Sequence, residues 1–481
     1  MRTFSNFNGN FHIFPVFFGR FSALWPEMGQ HNRYYHFSTK FSVPLPVFSA
    51  IRPLHRLHGG PIIKTAPAEA AQALHVPAGV MRLAGAAKEI MNMYRIQTMN
   101  KISPVGLNRF PSELYEVSDT VQDPQGILVR SAKLLDMEFN PGLLAIARAG
   151  VGVNNIPLER CAEAGIPVFS TPGANANAVK ELVICAMLIG SRDIPGAIRW
   201  VREQAASGVE VSTVVEKGKS AFVGPELYKK TIGIIGLGAI GSIVANTAIS
   251  LGMDVYGYDP FLSVDTALRL DRHVHVVKDI NDLYKRADYV TMHIHYTEKT
   301  AHMINADAIA AMKRGVRVIN LARGEIVDDE AMLAALDTGK VAAYVTDFPN
   351  NRLLTAPHVI AMPHLGASTP ESEQNCAAMA VDELRDYLEN GNIRTSVNLP
   401  EMSMERSGVQ RLCILHKNVP GMLANITSLF GRDGVNVENL SNKSRGDYAY
   451  TMVDLSTKVG GDVVEDVKRM ANVIRVRVLE W

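Results

Sequence analysis

Paired cysteines are missing from this chain. Its four, Cys161, Cys185, Cys376 and Cys413, are scattered and form no CxxC pair. That spacing argues against a disulfide framework or a structural zinc site and suits a reducing compartment. An excess of charge is missing too. The 49 Lys and Arg against 48 Asp and Glu leave a net charge of +1. Nothing in that balance points to nucleic acid or an anionic membrane as a partner. No apolar run reaches the ~18–20 residues of a membrane span, and "FHIFPVFF" near the start is short and carries proline. Acids are nearly absent from residues 1–60, where only Glu27 occurs among many Phe, Arg, His and Pro. A basic, acid-poor start of this kind is the composition of an organelle transit peptide. A disordered leader, or initiation at Met91 or Met93, is the alternative. Residues 1–90 are therefore set aside from fold reasoning. The expected compartment is the cytoplasm if translation starts near Met91 or Met93, and a mitochondrion or plastid if the leader is a transit peptide.

What is present begins at Tyr94. A length of 481 residues suggests two to four domains. Short apolar runs alternate with helical stretches: "GILVRSA" (126–132), "LLAIARAGVGVNNI" (143–156) and "IPVFSTPGANANAVKELVICAMLIGSR" (166–192). Residues 231–361 repeat the alternation through "TIGIIGLG", "MDVYGYD", "YVTMHI", "VRVINLA", "AAYVTDF" and "HVIAM". Such strand–helix alternation predicts doubly wound parallel sheets. The polar stretch "REQAASGVEVSTVVEKGKSAFVGPEL" is expected to cross between domains. "STPESEQNCAAMAVDELRDYLENG" predicts one long amphipathic helix, capped by Ser368 or Thr369 and stopped at Gly391. A polar linker, "PEMSMERSG", then leads to a separate strand-rich module of about 70 residues.

The strongest motif is "TIGIIGLGAIGSIVANTAISLGMDVYGYD". Gly236, Gly238 and Gly241 form GxGxxG between a strand and a helix, the pattern that admits a pyrophosphate at a helix N-terminus. Asp259 closes the next strand, 18 residues after Gly241. A carboxylate there accepts from ribose hydroxyls and repels a 2′-phosphate, which favours NAD over NADP. "VINLARGEIVD" places Arg323 just past a strand, where its planar fork could clamp a carboxylate and polarise a neighbouring keto oxygen. His364 follows a later strand in "PHLGAST" and suits proton transfer near neutral pH. "HIHY" puts His293 and His295 on one strand face. No third ligand at metal spacing accompanies them, so no metal site is expected, and a strand end beside the adenine is preferred.

Taken together, "LVRSA", "GANANAVKELV", "GLGAIG", "NLARGEIVD" and "PHLGAST" resemble, in this order, the D-2-hydroxyacid dehydrogenase family over residues 94–400. The resemblance implies an α/β fold of two Rossmann-like doubly wound parallel-sheet domains. The substrate-binding domain would span 94–196 and 362–400, and the NAD-binding domain 197–361. It implies NAD-dependent oxidation of 3-phospho-D-glycerate to 3-phosphohydroxypyruvate, the first step of L-serine synthesis, by a homodimer or homotetramer. The alternatives are another D-2-hydroxy acid as substrate, or a catalytically disabled NAD- or amino-acid-sensing regulator. By the same resemblance Arg323 and His364 do the chemistry, while Arg130, Ser131 and Asn175 bind the substrate's phosphate and carboxylate. Gly236, Gly238, Ala239, Ile240, Gly241, Asp259, Ile294, Thr300, Leu321 and Asp347 would hold the dinucleotide.

Two positions depart from the family. The glutamate that orients the histidine in most members is replaced by Arg352, and "DFPNNRLL" holds no acid after Asp347. Loss of that carboxylate weakens a histidine base and frees its tautomer. Lys180 stands where many relatives carry alanine, and is expected to supply the proton role or share it with His364. The alternative is an ordinary solvated lysine beside Glu181. The tail, "RLCILHKNVPGMLANITSLFGRDGVNVENL" onward, reads βαββαβ and resembles an ACT domain, a ferredoxin-like amino-acid-sensing module, over 409–481. That resemblance implies L-serine as effector, contacted by His416, Asn418 and Asn436. A purely dimerising packing domain is the alternative.

Overall fold

The computed structural model describes residues 93–481, so the leader expected over residues 1–90 lies outside the described residues. Three sheets follow one another. The first contains β1 (Tyr94–Met99), β2 (Tyr115–Ser118), β3 (Gly126–Val129), β4 (Ala145–Arg148) and β5 (Val168–Phe169) in the order β2-β1-β3-β4-β5. Every pairing in it is parallel. The second contains β6 (Thr231–Ile235), β7 (Asp254–Tyr258), β8 (Val274–Val277), β9 (Tyr289–Met292), β10 (Val316–Asn320), β11 (Val341–Thr346) and β12 (Val359–Ala361). Its order is β12-β11-β10-β9-β6-β7-β8, again all parallel. Strands β3, β4 and β9 are buried along their apolar residues on both faces, as parallel strands covered by helices must be. The order reverses at β6, the point where open α/β sheets bind ligands beyond their strand ends.

The halves meet along the helix Ala176–Ser191. Its inner residues Val179, Val183, Ala186 and Met187 lie in one core with Ile232, Ile234, Leu237 and Val345 of the second sheet. The polar crossover is itself structured. It folds into the helices Ile194–Ala206 and Val211–Gly218, stapled by Trp200 against Phe222 at 6.0 Å. Pro195 sits in the first turn and Asp193 caps it by accepting from the Gly196 N–H, signals hidden in a stretch that is polar overall.

The helix Pro370–Asn390 returns to the first sheet. Thr369 Oγ1 caps it by accepting from Ser372 N at 3.1 Å, and Gly391 ends it at φ 76°, a left-handed position that favours glycine. Its buried stripe of Cys376, Ala377, Ala380, Val381, Leu384 and Leu388 fills the first sheet's core.

The third sheet is antiparallel: β13 (Gln410–Lys417), β14 (Val437–Arg445), β15 (Tyr448–Leu455) and β16 (Val473–Glu480), ordered β14-β15-β13-β16. Strand alternation decides how it docks. Leu412, Ile414 and Val453 point to the helices Met422–Arg432 and Gly461–Arg469. Cys413, Leu415, Tyr450 and Met452 point the other way, into the core built around the long helix. The module expected to stand apart therefore shares a core with the first sheet. Side chains of this sheet also cap the long helix's free carbonyls: Arg411 donates to Asn390 O and Tyr450 to Gly391 O. Arg411 is fully buried, and a bidentate pair with the equally buried Asp454 balances its charge.

Candidate active site

The loop after β6 is shaped by three glycines with different reasons to be glycine. At Gly236, φ is 88° and an added Cβ would lie 2.6 Å from the His293 carbonyl oxygen. At Gly241 a Cβ would lie 1.9 Å from Gly236 O, so helix and strand close on each other only without a side chain. At Gly238 a Cβ would meet nothing within 4 Å. The backbone is therefore open on the side from which a pyrophosphate approaches, and Gly238 caps the helix Ala239–Ser250. Asp259 directly follows β7, with Oδ2 accepting from Leu237 N (2.9 Å) and Oδ1 from Phe261 N (2.8 Å). These bonds fix the carboxylate beside the motif loop and leave lone pairs for a ribose. The cradle fits a dinucleotide with an unphosphorylated ribose.

The other residues expected at the cofactor divide by position. Ala239 and Ile240 open the motif helix, and Ile294 lines the loop against Gly236. Leu321 is buried in the core beneath the loop that carries Arg323. The Thr300 hydroxyl is used locally, donating to His295 O at 2.8 Å and accepting from Thr297 N. It shapes the turn after β9. His293 sits within reach of Thr291 Oγ1, and burial pushes its imidazole down to about 4, so it is neutral at physiological pH.

Across the cleft, arginines converge. Arg148, at the end of β4, donates from Nε to Arg130 O at 2.9 Å. Gly152 lies between two guanidiniums: its Cβ would sit 3.2 Å from Arg323 Nη2 and 3.4 Å from Arg148 Nη1. Burial first, and the Arg323 charge next, lower the Arg148 pKa. Cations gathered this closely are stabilised by an anionic ligand. Arg148 was not singled out from the sequence. The signal was there, since "ARAGVG" is an arginine at a parallel strand's carboxyl end followed by glycines, the same context as Arg323.

The other residues expected to bind substrate lie on two loops. Arg130 pairs with Glu373, in the first turn of the long helix, at 2.7 Å. The Ser131 N–H donates to Asn100 Oδ1 at 3.0 Å, and Asn100 itself adopts φ 75°. Asn175 precedes the helix Ala176–Ser191. Its Oδ1, like Thr171 Oγ1 in the same loop, is buried without a hydrogen-bond partner. That loop reaches the nucleotide half, for a Cβ on Gly173 would lie 3.1 Å from Ala239 Cβ.

His364 lies on a loop held by Asp347, whose Oδ2 accepts from Gly366 N at 3.0 Å. Asp347 is almost fully buried, and Oδ1 has no partner. Burial raises its pKa, while the Gly366 bond and the nearby His364 oppose the rise. The residue in the glutamate's place is engaged with an acid of the same cleft: Arg352 Nη2 pairs with Glu330 at 2.9 Å. A cleft of 840 Å³ opens beside His364, lined also by Asp347, Phe348, Glu325 and Arg352. Lys180 has its ion pair with its own neighbour. Its Nζ is 3.7 Å from Glu181 Oε1, and among the described residues it makes no hydrogen bond to Arg323, His364 or Asp347.

The expected effector contacts need correction. His416 is 2% exposed, with Nδ1 bonded to Lys417 O and Nε2 to Thr451 Oγ1, so neither ring nitrogen is free for an effector. It was placed by resemblance, but strand alternation turns it into the sheet's interior. Asn418 and Asn436 do not converge within the chain. Asn418 follows β13 beside the Gly446 turn, to whose carbonyl its side chain donates, while Asn436 precedes β14 opposite Ser456. The register of β13 and β14 on β15 sets them at opposite sheet ends, roughly 25 Å apart at ~3.3 Å per residue.

Comparison with known proteins agrees with this architecture. Residues 184–366 match the family description "D-isomer specific 2-hydroxyacid dehydrogenase, NAD binding domain". Residues 412–475 match "AHAS small subunit-like ACT domain". The D-3-phosphoglycerate dehydrogenase of Methanocaldococcus jannaschii is 36% identical over 302 residues, which are 61% of this chain and 55% of that protein. The chain thus spans about half the length of this relative. That of Haemophilus influenzae is 32% identical over 379 residues, 76% of this chain and 88% of that protein. Among solved structures, the apo D-mandelate dehydrogenase of Rhodotorula graminis shares the fold (TM-score 0.55, 21% identity, 64% of this chain and 98% of that one). The NAD+-bound 3-phosphoglycerate dehydrogenase of Entamoeba histolytica also aligns (TM-score 0.50, 26% identity, 64% and 99%). With an NAD-binding domain, a partner domain closing the cleft and an ACT-like tail, the chain belongs to the D-isomer specific 2-hydroxyacid dehydrogenase family.

Proposed function

We propose that the protein oxidises 3-phospho-D-glycerate to 3-phosphohydroxypyruvate with NAD. The observation that carries this reading is the pair Arg148 and Arg323 across Gly152, with Arg130, held by Glu373, next to Arg148. A substrate with both a phosphate and a carboxylate satisfies more of that charge than an unphosphorylated acid does. Gly236, Gly238, Gly241 and Asp259 would hold the dinucleotide, which when bound supplies the hydride acceptor. Arg323 clamps the carboxylate and polarises the oxygen on C2. His364 takes the hydroxyl proton in oxidation and returns it in reduction. Asp347 keeps the His364 loop closed on the site through Gly366. Curated relatives named D-3-phosphoglycerate dehydrogenase support the choice of substrate.

Regulation by L-serine and assembly as a homodimer or homotetramer belong to the same reading. Ile194, Ile198 and Val201 on the crossover helices leave apolar surface exposed, which supports burial against a second copy. Asn418 and Asn436, apart within one chain, would meet only across paired ACT modules. The test is NADH oxidation with 3-phosphohydroxypyruvate, compared with pyruvate and hydroxypyruvate. Preference for the phosphorylated acid is expected. Equal turnover of all three would point to another hydroxy acid, and no turnover with any would point to a regulator. L-Serine that leaves both activity and thermal stability unchanged would remove the regulatory part.

A further inference from the structure

The reading above leaves one question about this chain's own residues: what orients His364 without a glutamate. Among the described residues, no side chain is hydrogen-bonded to either ring nitrogen of His364, and Arg352 is engaged with Glu330. The imidazole has an aromatic neighbour. The ring of Phe348 lies 4.7 Å from that of His364, centroid to centroid, at 52° between planes. That is within the range where tilted aromatic pairs attract. The same ring also meets Arg323, with the guanidinium carbon 6.0 Å from the centroid, the outer limit of a cation–π contact.

Phe348 is itself tightly placed. Its N–H donates to the buried Thr346 Oγ1 at 3.1 Å, and its Cβ would lie 3.3 Å from a Cβ on Gly324, the residue after Arg323. Asp347 immediately before it grips the His364 loop through Gly366. The pair Asp347–Phe348 thus fixes both the backbone and the ring of His364 from the end of β11.

We propose that Phe348 is a positioning residue, taking over from the absent carboxylate by holding the His364 imidazole and setting its separation from Arg323. A ring in contact with both groups orients them together without hydrogen-bonding either. A glutamate would orient only the histidine. The role rests on the assignment of Arg323 and His364 to catalysis, so its test includes a measurement independent of turnover.

The experiment compares Phe348→Leu with Phe348→Tyr in the full chain. In Phe348→Leu, kcat is expected to fall roughly 30–100-fold, the cost of a misplaced catalytic group. KM for the oxo acid and the NADH Kd should stay within about threefold, the limit taken as unchanged affinity. Phe348→Tyr, which keeps the ring, should restore kcat to within about threefold of wild type. In parallel, the His364 ring-proton NMR resonances, assigned with His364→Gln, should lose their aromatic ring-current shift in Phe348→Leu and keep it in Phe348→Tyr. A Phe348→Leu variant with near-normal kcat, or a Tyr variant as impaired as Leu, overturns the proposal. If wild type turns over no 2-oxo acid, the functional reading fails by itself. The resonances still decide Phe348, since shifts unchanged in Phe348→Leu overturn its role.

Discussion

Arg477 on the last strand donates from Nη1 to the carbonyl oxygen of Tyr387 at 2.9 Å, and its guanidinium lies 4.4 Å from the Tyr387 ring centroid. Its second nitrogen donates to Leu388 O, so one side chain of the C-terminal sheet caps two carbonyls at the end of the long helix. The other end of that helix carries Glu373, the partner of Arg130 at the cleft. One rigid element thus joins the ACT-like sheet to the substrate side of the site.

Removing that cap should loosen the joint. Arg477→Ala removes two charge-assisted hydrogen bonds and leaves a void beside Tyr387, while Gly391 N still donates to Tyr387 O and Tyr94 Oη to Leu388 O, for an expected loss of about 3 kcal/mol. Arg477→Met, which keeps the volume, should recover part of it. Urea unfolding of the full chain measures both. Equal stability of wild type and Arg477→Ala would show that the cap is not energetically important.

Glu383 on the same helix gives a pH signature. It is 9% exposed with Oε2 unpartnered, and burial pushes its carboxyl up to about 7 against the opposing Arg394 charge. Between about 4.5, the unfolded value, and about 7, the folded chain keeps a proton that the unfolded chain has released. Stability therefore falls as pH rises through that window. The loss is at most ~3 kcal/mol, from 1.36 kcal/mol per pKa unit. Glu383→Gln should match wild type near pH 4 and exceed it near pH 8. A stability difference that does not vary with pH would contradict this origin.

The motif glycines should separate folding from binding. Gly241→Ala forces a Cβ onto Gly236 O and is expected to cost about 3 kcal/mol of stability through overpacking. Gly238→Ala meets open space at a φ of −65°, so Tm should hold. Its dinucleotide affinity should nonetheless weaken roughly tenfold, about 1.4 kcal/mol. Calorimetric melting and NADH titration of both variants check the contrast.

The proton role should fall on His364. His364→Ala is expected to lose ~10²–10⁴ in kcat, the span of a general acid–base contribution. Lys180→Ala should lose less than about tenfold, because its ammonium stands beside Glu181 and bonds to no group of the site. Single-turnover kinetics on both variants, with NADH binding verified, distinguish them. A Lys180→Ala loss as deep as that of His364→Ala would transfer the proton to the lysine.

Much of this was legible in the linear chain because the signals are local. Glycine spacing between a strand and a helix, an acid closing the next strand, a threonine cap and a terminal glycine each depend on neighbours a few residues away. The alternation of apolar strands with helices was enough for two parallel sheets and a βαββαβ tail. The crossover helices were missed because their apolar residues stay partly exposed, so no buried stripe marks them. His416 was misplaced because a βαββαβ pattern gives the strand but not which of its faces is covered.

By itself, then, the sequence determined the three sheets and the dinucleotide-binding half, and it singled out Arg323 and His364 as candidates. Each rests on short-range patterns of backbone freedom, periodicity and charge. Tertiary structure decided the rest. It brought Arg148 beside Arg323 across a glycine, turned Arg352 toward Glu330, and set Phe348 in contact with both the arginine and the histidine. It also pressed the C-terminal sheet onto the long helix, where Arg477 meets Tyr387. Those contacts join residues far apart in the chain, and only the packing of sheets and helices fixes which of them meet.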